Sequence, residues 1–108
     1  MPLQAQARGF LFPGKGMKVT VQFHGILSDW MGGARAELSL SDRSTFGDLL
    51  MEIKKRFSMT MPSQLRNKDQ QAFNRALWAV RGKDRLSELG AELKDGDEVR
   101  FFLSLAGG

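Results

Sequence analysis

The sequence predicts a small α+β domain in which a mixed sheet of four to five strands carries one main helix across one face. Three observations lead to this fold class. Two segments that alternate apolar and polar residues flank a Gly-Gly turn, a strongly periodic helix follows them, and a further alternating segment lies near the end of the sequence. The order strand, strand, helix, strand, strand is typical of a sheet whose helix packs on a single face.

The first two strands are predicted from their alternation. Residues 18–23 place apolar side chains at every second position, and residues 34–40 repeat the pattern. Between them Gly32 and Gly33 supply a turn signal. We therefore expect these two segments to pair as a hairpin.

The next segment has the spacing of an amphipathic helix. Apolar side chains recur at every third or fourth position along residues 45–57. Ser44 or Thr45 can cap the start, and Asp48 places a carboxylate in the first turn, where the helix dipole favours it. The cations at 54–56 lie in the last turn, where the dipole favours positive charge. The sequence therefore predicts a helix over 45–57.

The stretch 58–76 supports two interpretations. Pro62 can open a second helix with a weak apolar stripe that includes Leu65 and Phe73. Residues 64–74 are otherwise strongly polar, which favours an exposed, partly ordered insertion. We take the exposed insertion as the expectation.

The last part of the chain returns to strand patterns. Residues 77–80 predict a strand that ends in a turn at Gly82, and the leucines within 86–93 are spaced like a short turn or an irregular apolar segment. Residues 94–97 predict a tight turn whose glycine is free to take positive φ. Residues 98–105 alternate again and predict the last strand.

Composition excludes several classes of site. The 108 residues include no cysteine, so the chain can form no disulfide or thiolate zinc site and can hold no side-chain persulfide. His24 is the only histidine, which excludes a histidine metal cluster, and we expect it in a solvated turn. The two tryptophans, Trp30 and Trp78, are expected to pack in the core or at its rim. The net charge is +4, but the basic residues are scattered along the chain and mixed with acidic ones. This distribution favours a soluble surface with a basic bias over a nucleic-acid interface.

The sequence also bounds the organisation of the chain. No apolar run approaches the ~20 residues of a membrane span, and the absence of cysteine fits a reducing cytoplasm, so we expect a cytoplasmic protein. We expect a flexible N-terminal tail over 1–16, one folded domain over 17–105 that contains the 58–76 insertion, and a flexible C-terminal tail over 106–108.

Several motifs resemble those of one known family. They are Met-Lys-Val-Thr-Val at 17–21, Thr-Phe-Gly-Asp-Leu-Leu at 45–50, Leu-Lys-Asp-Gly-Asp-Glu-Val at 93–99, Phe-Phe at 101–102 and Ala-Gly-Gly at 106–108. In these motifs the sequence resembles the MoaD/ThiS family of ubiquitin-like β-grasp proteins. The family comprises the small subunit of molybdopterin synthase and the sulfur carrier of thiamin synthesis. The resemblance covers residues 17–57 and 77–108.

The resemblance implies a function for the last residue. An ATP-dependent adenylyltransferase of the ubiquitin-activating type would adenylate the carboxylate of Gly108, and a sulfur donor would convert the adenylate to a thiocarboxylate. A large subunit or acceptor enzyme of a cofactor synthase would use that sulfur, in molybdopterin synthase to build a pterin dithiolene. The chain would then be a carrier or a small non-catalytic subunit and no enzyme, with no cofactor or metal of its own.

The candidate partner contacts surround this end. They are Ala106 and Gly107, which would thread into the partner's active site, and Phe102, Leu103 and Leu105, which would dock against the partner. Glycine has no Cβ, so a Gly-Gly end can enter a slot too narrow for side chains. Phe102 lies on the strand face opposite the predicted core face, where it is either an exposed docking anchor or buried by the 58–76 stretch.

Three departures from the family pattern leave alternatives open, and one of them is the additional segment 58–76. Leu103 and Ser104 replace two prolines that are usual in the small synthase subunit, and Arg81 replaces a common asparagine. These differences weaken the link to molybdopterin in particular. A thiamin-type or other carrier and a ubiquitin-like protein modifier are the alternatives within this chemistry, and a plain β-grasp interaction module lies outside it.

Overall fold

The computed structural model describes residues 16–104, which form a five-stranded sheet and four helices in an α+β arrangement. The strands are β1 (Met17–Phe23), β2 (Arg35–Leu40), β3 (Leu77–Arg81), β4 (Asp84–Leu86) and β5 (Glu98–Leu103). The helices are α1 (Ile26–Trp30), α2 (Phe46–Arg56), α3 (Ser63–Arg66) and α4 (Gln70–Ala76).

The sheet order is β2-β1-β5-β3-β4, so the last strand of the chain lies at the centre. β1 and β5 run parallel, and the other neighbours are antiparallel. This confirms the predicted mixed sheet. Because β5 is hydrogen-bonded on both sides, it is held more firmly than an edge strand.

The predicted hairpin of β1 and β2 is confirmed, and its pairs run from Met17 opposite Leu40 to Gln22 opposite Arg35. The connection between the strands was only partly predicted, since it contains the short helix α1. Leu27 of this helix is fully buried. A helix of five residues is too short to show a helical period, so the sequence indicated only the turn that follows it.

Helix α2 is the predicted main helix. Thr45 caps it: its backbone N–H donates to Asp48 Oδ2 over 2.9 Å, and Asp48 N donates to Thr45 Oγ1 over 3.3 Å. This is the reciprocal arrangement of a capping box, with aspartate in the third position. Phe57 follows as the C-cap, so the predicted bounds include the two capping residues. The buried side of α2 packs on the same face of the sheet as Val19, Val21 and Phe101.

The expectation that 58–76 is exposed is wrong. The segment forms α3 and α4 and contributes to the core, with Leu65 and Phe73 only 2% and 0% exposed. Asp69 caps α4 by accepting a hydrogen bond of 2.8 Å from Ala72 N. The polar residues that suggested exposure lie on the outer side of short helices, and a few large apolar side chains were enough to anchor them.

The region after β3 also contains a strand that the sequence did not indicate. Gly82, at φ 64°, turns the chain into β4, where Arg85 pairs with Val80. Leu86 and Leu93 are buried, so the irregular leucine spacing reflects a three-residue strand followed by a loop over the core.

We predict that Phe73→Ala lowers the free energy of unfolding by about 3–5 kcal/mol, the usual cost of removing a buried phenyl ring. Gln71→Ala on the exposed side of the same helix is the matched control and should change it by less than about 0.5 kcal/mol. Urea denaturation measures both. Equal, small effects would mean that the 58–76 segment contributes nothing to the core.

Candidate functional site

The candidate site is the C-terminal end of β5, where the described chain leaves the sheet. Leu103 is paired with Leu77 of β3, and Ser104 N donates to Ala76 O over 2.9 Å. Proline has no backbone N–H, so the departure from the family pattern at Ser104 allows this hydrogen bond. The predicted site residues Leu105, Ala106, Gly107 and Gly108 lie outside the described residues.

The start of β5 is fixed by the predicted tight turn. Gly96 has φ 87°, as expected, and its N–H donates to Lys18 O over 2.8 Å. Asp95 Oδ1 accepts a hydrogen bond of 2.8 Å from Lys18 N. Both contacts join the turn to the beginning of β1, so the Asp-Gly-Asp sequence sets how β1 and β5 meet.

A second brace comes from Asp97 and Arg81. Asp97 Oδ2 accepts from Lys94 N over 2.9 Å and from Arg81 Nη1 over 3.0 Å. The same Arg81 nitrogen donates to Glu92 O over 2.9 Å. The departure from the family pattern at Arg81 thus has a structural role, which is to tie β3 to the turn before β5.

Phe102 has a different environment from either of the two expected. Its ring is half-buried and stacks on the His24 imidazole, with centroids 4.6 Å apart and planes at 14°. His24 N also donates to Phe101 O over 3.0 Å, and the buried Nε2 atom has no hydrogen-bond partner. The expectation of a solvated turn histidine is therefore wrong. His24 directly follows β1, and because β1 and β5 run side by side in the same direction, its ring packs against Phe102 of β5.

Leu103 lies on the inner side of the same strand. It is half-buried against the core and lines a groove of about 240 Å³ together with Trp30, Leu65 and Lys68. Phe102 and Leu103 therefore point to opposite faces of the sheet, and a single flat partner surface would not cover both. Trp30 packs against the core, as predicted.

The register of the sheet brings together residues that sequence reasoning did not connect. On the exposed face, cross-strand partners form three parallel rows perpendicular to the strands. The acidic row is Glu37, Thr20 and Glu98; the arginine row is Arg35, Gln22, Arg100, Val80 and Arg85; the aromatic row is His24, Phe102 and Trp78. Alternation predicted which residues face outward, but the row to which each belongs depends on the register between strands that are distant in sequence.

The aromatic row is the one nearest the exit of the chain. Trp78 is 45% exposed and lies opposite Phe102, and the guanidinium of Arg85 lies 3.6 Å from the centroid of the Trp78 ring. The expectation that Trp78 packs in the core or at its rim is therefore wrong: it lies at the outer surface, where a cation–π contact holds its ring. Both features give this end of the sheet a rigid, partly apolar surface.

Residues 16–104 contain neither a cluster of metal ligands nor a membrane-spanning helix. No group of three or more histidine, aspartate and glutamate side chains in this range could hold a metal ion. None of the helices in the same range is both long and apolar enough to cross a membrane.

These features define the class of fold: a ubiquitin-like β-grasp domain, with a β1–β2 hairpin, a helix across the sheet and a C-terminal strand at its centre. No family model matches the chain, and no curated protein does. Solved structures do match it, and the sequence resemblance to MoaD/ThiS proteins is confirmed at the level of the fold.

Three solved structures represent the match. A putative molybdopterin converting factor, subunit 1, from Pyrococcus furiosus is 24% identical, with a TM-score of 0.64 over 82% of this chain and 99% of its own. Small archaeal modifier protein 1 from Haloferax volcanii is 18% identical, with a TM-score of 0.69 over 83% of this chain and 100% of its own. The ubiquitin-like domain of an Arabidopsis thaliana protein is 12% identical, with a TM-score of 0.52 over 98% of this chain and 92% of its own.

We predict that Asp97→Ala lowers the free energy of unfolding by about 1–3 kcal/mol, because Lys94 N and the partly buried Arg81 guanidinium lose their acceptor. Glu98→Gln is the matched control, since Glu98 is the adjacent carboxylate and is exposed. It should be nearly neutral in the same urea denaturation. A loss for Asp97→Ala no larger than that of the control would contradict a bracing role for the turn.

Proposed function

We propose that this chain is a sulfur carrier whose C-terminal glycine, Gly108, is adenylated and then converted to a thiocarboxylate that supplies sulfur for molybdopterin synthesis. The observation that carries the proposal is the Gly107-Gly108 pair placed shortly after the central strand of a β-grasp domain. The proposal requires Gly108 to be the last residue of the mature protein. The P. furiosus structure named as a molybdopterin converting factor subunit supports the pathway.

The chemistry follows from what a carboxylate lacks. A free carboxylate is a poor acyl donor, so it must first exchange an oxygen for a better leaving group. Its oxygen attacks the α-phosphate of ATP, which forms an acyl-adenylate and releases pyrophosphate. A sulfide equivalent then attacks the acyl carbon and displaces AMP, which leaves sulfur on Gly108. The chain has no cysteine, so the carried sulfur cannot be held on a side chain.

The described structure supplies a rigid base for this end. Hydrogen bonds to β1 and β3 hold β5, and the bond from Ser104 N to Ala76 O adds one hydrogen-bonded residue after the strand. The four residues that follow can span at most about 14 Å when fully extended. That length suits an active site in a partner protein, because it can carry the terminal carboxylate away from the sheet while the domain docks at the surface.

Two partners are required: an adenylyltransferase of the ubiquitin-activating type, and the large subunit or acceptor enzyme of a synthase. Ala106 and Gly107 would lie in the narrow channel of either partner. Phe102, with its neighbour Trp78, offers an anchor on the exposed face, and Leu103 offers a contact at the groove on the inner face. Leu105 would add a further contact with a partner. In this function the chain is itself no enzyme.

A second candidate function is protein modification. The small archaeal modifier protein from H. volcanii, which has the same fold, favours it. The first step would be the same adenylate, after which a lysine amine on another protein would displace AMP and form an isopeptide bond. No Lys or Arg follows Arg100, so trypsin would leave residues 101–108 attached to each modified lysine.

Intact mass spectrometry of the protein from its native cells tests the proposal. We predict a population heavier by the replacement of one oxygen by sulfur, with the change confined to Gly108 in the fragment spectrum. A tryptic remnant of 101–108 on lysines of other proteins, with no sulfur on the free chain, would support the modifier instead. A mature chain that continues beyond Gly108 would overturn both.

The variant lacking Gly108 is the control, expressed in the same cells. It should carry no sulfur and form no conjugates, while its free energy of unfolding stays within about 0.5 kcal/mol of the parent. Ala106→Ser keeps the length of the tail and should retain the modification.

A further inference from the structure

We propose that the arginine row on the exposed face is a binding surface for an acidic protein segment that lies across the strands. We further infer, on the basis of the proposed function, that this segment belongs to the enzyme that activates Gly108. The proposal rests on the position, spacing and lack of pairing of Arg35, Arg85 and Arg100.

The spacing of the row is regular. Arg35 is on β2, Arg100 on β5 and Arg85 on β4, so each arginine is separated from the next by one intervening strand. At about 4.8 Å per strand, neighbouring arginines start about 10 Å apart. Carboxylates at positions i, i+7 and i+14 of a helix are also about 10.5 Å apart and lie close to one face. An acidic helix across the sheet therefore matches the row in both spacing and charge.

The three arginines are exposed and have no carboxylate partner within the described chain. In residues 16–104 the single ion pair joins Arg81 and Asp97. Arg100 donates one long hydrogen bond of 3.5 Å to Gly82 O, and the Arg85 guanidinium lies over Trp78. A guanidinium that lies on a ring keeps its N–H edges free for a carboxylate and loses less side-chain entropy on binding.

The neighbouring rows give the surface an orientation. The acidic row, with Glu37 and Glu98, lies on one side, and the aromatic row with Trp78 lies on the other. Consecutive rows are two residues apart along a strand, about 7 Å. An acidic segment displaced by one row toward Glu37 would meet like charge, which disfavours that alternative position. A segment bound along the arginine row would lie next to Phe102 and to the end of β5, where the described chain leaves the sheet.

The same features favour a protein partner over a single-stranded nucleic acid. Nucleic-acid platforms stack bases on open aromatic faces. Here one face of Trp78 is covered by Arg85 and one face of Phe102 by His24. Glu37 and Glu98 also border the arginine row and would repel a continuous run of phosphates.

The test is a titration of the ¹⁵N-labelled full chain with a synthetic helical peptide that carries glutamate at i, i+7 and i+14. We expect NMR shift changes at Arg35, Arg100 and Arg85, and an affinity that falls as NaCl is raised. Arg35→Glu with Arg100→Glu should weaken binding about tenfold or more. The matched control is Lys55→Glu with Arg75→Glu, which makes the same charge change on the exposed sides of α2 and α4 and should weaken binding much less.

Equal losses in the two double variants would overturn the proposal, because net charge alone would then explain the binding. Tighter binding of a single-stranded oligonucleotide of equal charge to the same row would overturn it as well. With the activating enzyme, Arg35→Glu with Arg100→Glu should raise KM about tenfold and leave kcat unchanged, since these side chains would contribute to docking and take no part in the chemistry at the terminal carboxylate. An unchanged KM would refute the assignment of the segment to that enzyme.

Loss of binding at the arginine row can be distinguished from loss of sulfur transfer at Gly108. A chain without Gly107 and Gly108 should bind the peptide normally even though it cannot be activated. Sulfur on Gly108 of the native protein is measured independently of any binding at the arginine row.

Discussion

The parallel pairing of β1 with β5 is the constraint on which the rest of the structure depends. It places β5 at the centre of the sheet. Because parallel strands run in the same direction, the chain must return to the end of the sheet where β1 begins before β5 can start. The tight turn at 94–97 meets this requirement, because Asp95 and Gly96 bond to both backbone groups of Lys18. Asp97 and Arg81 then tie the turn to β3. The motif that resembles the MoaD/ThiS family is therefore also the connection that sets the direction of β5.

The same pairing shapes the candidate site. His24 follows β1 and Phe102 lies near the end of β5, and the two rings stack because the strands run side by side in one direction. Each outward residue of β5 also belongs to a row that continues on neighbouring strands, so Glu98, Arg100 and Phe102 lead in order from the acidic row through the arginine row to the aromatic row. Along β5, the exposed face therefore changes from acidic to basic to aromatic toward the C-terminal end of the strand.

The elements with a clear period were predictable from the sequence. These elements are the helix α2 and the strands β1, β2, β3 and β5. Each is long enough for its apolar residues to show a regular spacing, whichever residue is taken as its first or last. The turn at Gly96 was predictable because only a few residues tolerate its φ. What was missed is short: α1 and β4 have five and three residues, too few to show a period. The 58–76 segment was misjudged because its many polar residues outweighed Leu65 and Phe73 in the pattern, although those two are what anchor it.

The candidate site was predicted by resemblance more than by pattern. The Gly-Gly end and Phe102 came from motifs, but the rows depend on which residues lie opposite one another in strands up to about 80 positions apart, and no local pattern encodes that. The burial of His24 Nε2 without a hydrogen-bond partner could not be predicted either, because it depends on how the residue after β1 packs against β5.

The proposed function requires ATP to activate the carboxylate of Gly108. Labelling both oxygens of that carboxylate with ¹⁸O and supplying the activating enzyme, ATP and sulfide tests it most directly. We expect the released AMP to carry one labelled oxygen and the protein to keep the other beside its new sulfur. AMP without label, or a protein that retains both labelled oxygens, would contradict it.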